Sequence, residues 1–70
     1  MIPLILTAPG EESVIKKVGG TPEVRQHLET LGFTSGTPVT VVSSMGGNVI
    51  VRVRDARIAV SENMAAKIMV

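Results

Sequence analysis

The run Val39-Thr40-Val41-Val42-Ser43-Ser44-Met45-Gly46-Gly47-Asn48-Val49-Ile50-Val51-Arg52-Val53-Arg54-Asp55-Ala56-Arg57-Ile58-Ala59-Val60 decides the fold class. It reads with period two. Val39, Val41 and Ser43 alternate with Thr40, Val42 and Ser44, and Val49, Val51 and Val53 alternate with Ile50, Arg52 and Arg54. Successive strand side chains point to opposite faces, so each stretch predicts a half-buried antiparallel strand with one valine face. Between them, Met45-Gly46-Gly47-Asn48 has glycines that can take the positive φ a tight hairpin demands. A second hairpin is predicted at Arg54-Asp55-Ala56-Arg57, with Asp55 as the residue that tolerates a left-handed conformation. Ile58 and Val60 then resume the apolar face. With the valines inward, Ile50, Arg52 and Arg54 share the outer face.

Nearer the N-terminus, Leu4 to Thr7 predicts a short strand stopped by Ala8-Pro9-Gly10, and Ser13 to Val18 another that ends at Gly19-Gly20. One segment switches to helical spacing, over about residues 22–31. Thr21 suits the N-cap, Pro22 the first helical position, and Glu23 the positive end of the helix dipole. Val24, Leu28 and Leu31 fall at i, i+4 and i+7 as one apolar stripe, and Gly32 supplies the stop. At the C-terminus, Ser61 can cap a helix through Glu62 to Ala66, while Lys67 to Val70 equally suits a closing strand. Local rules leave that end open.

The chain has 70 residues, with no Cys, Trp or Tyr and one Phe. A chain of this mass folds to roughly 4,200 Å² of accessible surface, enough for one core, so residues 1–70 are read as one domain. Without cysteine there is no disulfide framework and no thiolate metal site. The fold class is therefore mainly β: a small closed barrel of five to six short antiparallel strands with one inserted helix, which hides strand edges economically. Seven Lys and Arg against six Asp and Glu give a net charge of +1. That is far from the basic excess of nucleic-acid binders, and the aromatics that stack bases are missing, so no nucleic-acid partner is expected. The apolar start, Ile2 to Leu6, is too short to span or insert in a membrane and lacks the basic flank of an export signal. These features predict a cytoplasmic protein.

The run Arg25-Gln26-His27-Leu28-Glu29-Thr30-Leu31-Gly32-Phe33-Thr34-Ser35-Gly36-Thr37-Pro38-Val39-Thr40-Val41 resembles the hallmark of the FeoA family. That hallmark is a helix ending Leu-x-x-Leu-Gly-hydrophobic, then x-x-Gly, then a Val-x-Val strand. Gly47-Asn48-Val49-Ile50-Val51-Arg52-Val53 is similar to the family's second central strand, and Arg57 to Val60 and Ala65 to Val70 to its ending. The resemblance implies an SH3-like β-barrel, cytoplasmic and accessory to bacterial ferrous iron uptake. It implies a short helical turn near 61–65 followed by a strand. The partner it implies is FeoB, the membrane transporter with a cytoplasmic GTP-binding portion. The same barrel is similar to the C-terminal domain of iron-dependent repressors. The alternative reading is therefore an SH3-like module acting in iron-dependent transcription through another protein, since no helix-turn-helix segment is present. Many members carry a Pro in the loop before the strand and a Gly in the next turn, where this chain has Asn48-Val49 and Asp55.

Candidate functional residues follow from these placements. Glu23 and His27 stand at i, i+4, close enough for one divalent metal to bridge them. A stable transition-metal site wants three or four protein ligands, however, and there is no second His and no Cys, so no metal cofactor is expected. Arg52, Arg54 and Arg57 cluster in and beside one hairpin. With Ile50 they give a basic, partly apolar outer strand suited to an acidic protein surface. Met45, at a loop tip, has the adaptable side chain that binding surfaces favour. Phe33 follows the apolar helix stripe and reads as a core anchor. His27 is the one candidate base, and no hydroxyl and carboxylate accompany it in a nucleophilic arrangement, so the reading is not an enzyme. The Ile50 face leaves oligomeric state open.

Overall fold

The computed structural model describes residues 1–70. The elements run β1 (Glu12–Val14), β2 (Lys17–Val18), α1 (Pro22–Thr30), β3 (Pro38–Met45), β4 (Asn48–Val53), β5 (Ala56–Ser61), α2 (Glu62–Ala65) and β6 (Ile68–Met69). Four strands form one antiparallel sheet in the order β1-β3-β4-β5, and β2 pairs antiparallel with β6 in a second. Both hairpin turns of the central run are two residues long, because Met45 faces Asn48 and Val53 faces Ala56. In the first, Gly46 and Gly47 both take positive φ, +58° and +83°, the requirement of a type I′ turn.

Several local expectations are corrected. In the second turn the left-handed residue is Arg54, with φ +55°, and not Asp55. The first of the two turn residues carries the positive angle, as in a type II′ turn, so position in the turn overrides the preference of Asp. Leu4 to Thr7 is not a strand. Leu4–Leu6 forms a 3₁₀ turn, and the pairing falls earlier, where Pro3 bridges Met69. There the Ile2 N–H donates to the Val70 carbonyl at 2.9 Å and the Val70 N–H returns to Ile2 at 2.8 Å. Ser13 to Val18 is two strands, because the chain changes sheets at its middle. The Ile15 N–H bonds Thr37, just ahead of β3 of the large sheet, and the next N–H, on Lys16, bonds Met69 of the small one. Within β3 the register shifts between Val41 and Ser43. This bulge turns Ser43 to the outer face beside Ile50, away from the side of Val39 and Val41.

The expected helix is present. Thr21 accepts the Val24 N–H at 3.3 Å, and Gly32, at φ +108°, ends the helix. There the Gly32 N–H bonds Glu29 and the Phe33 N–H bonds Leu28, the paired bonds of a Schellman motif. That motif sends Phe33 straight down beside Leu28, and both are fully buried. Val24 and Leu31 complete the stripe, half-buried against the core. At the other end Ser61 accepts the Met64 N–H at 3.2 Å and starts α2, after which β6 closes the chain. One cluster joins Leu4, Ile15, Val18, Leu28 and Phe33 to the inward valines Val39, Val41, Val49, Val51, Val53 and Val60, with Ala65 and Ile68 from the end. The accessible surface is 4235 Å², matching the size expectation. No helix is long and apolar enough to cross a membrane.

Candidate partner-binding face

Because Val49, Val51 and Val53 face the core, Ile50 and Arg52 project from the opposite face of the large sheet. The register then orders that face into rows. One row runs Glu12, Thr40, Arg52, Arg57 across all four strands; the next runs Ser43, Ile50, Ala59; a third runs Met45, Asn48, Ser61. Two residues along a strand advance by about 7 Å, so the arginine row and the Met45 row lie about 14 Å apart. Arg52 and Arg57 stand directly opposite one another with both side chains exposed. Like charges so placed destabilise a sheet unless something neutralises them.

Arg54 departs from this arrangement. It sits in the β4–β5 turn and not on the strand, and its side chain crosses to the end of α1. A Cβ placed on Gly32 would lie 3.5 Å from Arg54 Nε and 3.7 Å from its Cδ. Arg54 and Arg52 nonetheless line one groove of about 430 Å³ with Asp55, Glu12 and Thr40. Arg57 does not line it. Met45 is 74% exposed at the far corner of the face, and Ile50 is half-buried between the two ends. The face therefore carries guanidinium groups at one end and a thioether at the other.

Glu23 and His27 lie one turn apart on the exposed side of α1. No group of three or more His, Cys, Asp or Glu side chains gathers to hold a metal ion. Phe33 is wholly buried, as expected of a core anchor.

Two features escaped sequence reasoning. Met1, Ile2, Ile5 and Leu6 are exposed, Met1 and Leu6 at 67% and 68%. A groove of about 380 Å³ beside them is lined by Ile5, Val41, Val49, Ser44 and Glu62 among others. A short apolar run is read by default as a buried strand, and a 3₁₀ turn that buries Leu4 alone leaves no periodic mark. The second feature is a groove of about 480 Å³ where Lys16 and Lys17 approach Arg25, Glu29 and Ser35. The Ser35 hydroxyl donates to the Lys16 carbonyl at 2.9 Å, a contact between segments 19 residues apart that no local pattern announces.

The family model for the FeoA domain matches residues 2–70. The chain belongs to the FeoA family. Over all 70 residues this FeoA chain is 33% identical to a Methanocaldococcus jannaschii protein named for Fe(2+) transport, covering 85% of it. A crystal structure of an FeoA named as an iron uptake regulatory protein superposes with a TM-score of 0.85 at 30% identity, over 96% of this chain and 89% of that one. The zinc complex of Stenotrophomonas maltophilia FeoA, described as a prokaryotic SH3 domain protein, gives 0.85 at 21% identity, over 99% and 88%. The fold is SH3-like. A manganese-dependent transcriptional repressor shares it, with a TM-score of 0.85 over 94% of this chain and 38% of that one. At 14% identity that likeness concerns fold alone.

Proposed function

We propose that this FeoA protein is a non-catalytic accessory factor of ferrous iron uptake that acts by docking on the cytoplasmic GTP-binding portion of FeoB. The outer face of the large sheet is the docking surface, with Arg52, Arg57, Ile50 and Met45 as its contacts and Arg54 adjoining them from the β4–β5 turn. The observation that carries the reading is the exposed Arg52–Arg57 pair, two like charges held opposite one another on a sheet face. An acidic partner surface relieves that repulsion, and arginine is among the residues enriched at interfaces. Family membership, with the relative named for Fe(2+) transport, supports the link to iron. Iron is cargo of the transporter in this reading, and the protein contributes contact with no metal cofactor of its own.

Docking through a basic face also supplies a guanidinium in trans to a GTP-binding domain, the device by which some partners accelerate hydrolysis. The test is a pull-down against the cytoplasmic portion of FeoB from the same genome, with and without GTP, together with its GTPase rate. Wild-type protein is expected to bind and to alter the rate. The triple variant Arg52→Ala, Arg54→Ala, Arg57→Ala is expected to do neither. If the triple variant changes the rate as the wild type does, the arginine face is not the site.

A further inference from the structure

β5 ends the four-stranded sheet, with β4 as its one neighbour there. Val53 and Ala56 flank a two-residue turn, so they form the narrow hydrogen-bonded pair, as do Val51 with Ile58 and Val49 with Val60. The next pair in that phase is Gly47 with Glu62, and the Glu62 N–H does bond the Gly47 carbonyl at 3.0 Å. Arg57 and Ala59 therefore aim their backbone N–H and C=O groups away from the sheet, and Ser61 its N–H, while the Ser61 carbonyl serves the first turn of α2. None of these groups takes part in the backbone bonds formed outside helices and strands. The edge is six residues long, has no proline and carries one charge, Arg57. Edges meant to stay single are usually shorter or more heavily blunted.

We propose that this edge accepts an extended acidic segment of a partner protein as a fifth strand, giving the order segment-β5-β4-β3-β1. Main-chain bonds to Arg57, Ala59 and the Ser61 N–H supply affinity, and side chains at alternate positions supply selectivity. On the outer face, a carboxylate opposite Arg57 extends the row Glu12, Thr40, Arg52, Arg57 and neutralises its two arginines. On the inner face, an apolar residue lies beside the half-buried Ile58. The segment thus alternates acidic and apolar residues. The opposite edge, β1, is three residues long and bears Glu12, so charge directs an acidic strand to β5. The inference rests on the reading of this protein as a binding module and adds the manner of binding.

The probe is an end-blocked peptide Thr-Glu-Val-Glu-Val-Thr, with a Lys-for-Glu peptide as control, titrated against the full chain and followed by amide NMR. The Glu peptide is expected to shift the Arg57, Ala59 and Ser61 amides and slow their hydrogen exchange, while the Lys peptide leaves them unmoved. Ala59→Pro removes an outward N–H without touching the β4–β5 ladder, a position where an edge strand tolerates proline. It is expected to weaken the Glu peptide by about tenfold, the scale of one or two lost hydrogen bonds. If Ala59→Pro fails to fold, Arg57→Glu takes its place and is expected to reverse the preference between peptides. Undiminished binding by Ala59→Pro, equal binding of both peptides, or a dimer in light scattering that Ala59→Pro dissolves (a second copy on the edge) overturns the proposal. Transporter binding that needs the arginines and ignores Ala59→Pro overturns strand addition alone. Peptide binding without transporter binding overturns the FeoB reading alone.

Discussion

Gly32 and Arg54 meet although 22 positions separate them, and both carry positive φ, +108° and +55°. At Gly32 the angle ends α1 and delivers Phe33 to the core, a conformation L side chains rarely adopt. Gly32→Ala is therefore expected to lower stability by about 1–2 kcal/mol, the cost of forcing a Cβ into that region. A shift of the urea midpoint at unchanged slope reports it. Arg54 presents the converse case, a side chain standing where a hairpin usually places glycine. Arg54→Gly relieves roughly 1–2 kcal/mol of left-handed strain and loses about 0.5–1 kcal/mol to glycine's freedom in the unfolded chain. The expected outcome is a stability equal to or slightly above wild type, with weaker docking to FeoB. A loss of several kcal/mol would show instead that the contact with Gly32 holds the turn. At this scale the sequence was legible where one residue type has one use, as at Gly32. It misled where a plausible candidate, Asp55, stood next to the residue that takes the angle.

Caps made both helices readable, because a cap is a contact three residues long. Thr21 and Ser61 each accept the N–H of the third residue onward, at 3.3 and 3.2 Å. Thr21→Ala is expected to cost about 1 kcal/mol, read as a lower thermal midpoint with unchanged near-native helicity. The two central hairpins were equally readable, since both turns and both valine faces lie within one continuous run. The N-terminal elements were not. Ile2 and Pro3 pair with Val70 and Met69 from the far end of the chain, and the Ile15–Lys16 step changes sheets through partners at Thr37 and Met69. Nothing local distinguishes these arrangements from one continuous strand. The bulge after Val41 is a similar case, because one extra residue reverses the face of everything that follows. The β5 edge became visible only once the register was known, since hydrogen-bond phase depends on which residues pair.

For the molecule as a whole, the large sheet divides its work between its faces. The inner valines close on Leu28, Phe33 and Ile68, while the outer face holds Arg52 and Arg57 at one end and Met45 at the other. The candidate arginines were legible as a cluster in sequence, and the register placed two of them opposite each other and moved the third to the turn. The proposed docking is electrostatic in origin, so its association rate is expected to fall as salt rises from about 0.05 to 0.5 M, while the fold persists. Stopped-flow or surface binding at several ionic strengths checks this, and a rate indifferent to salt would argue for an apolar interface such as the exposed Ile5–Leu6 region. In the proposed docking, the arginine row holds FeoB. The decisive quantity is the dissociation constant of this protein with the isolated cytoplasmic portion of FeoB, measured for wild type and for the double variant Arg52→Ala, Arg57→Ala. Saturable binding is expected, weakened at least about tenfold in the double variant, as when desolvated charged contacts are removed, with an unchanged circular dichroism spectrum. Equal dissociation constants for the two proteins would contradict this docking.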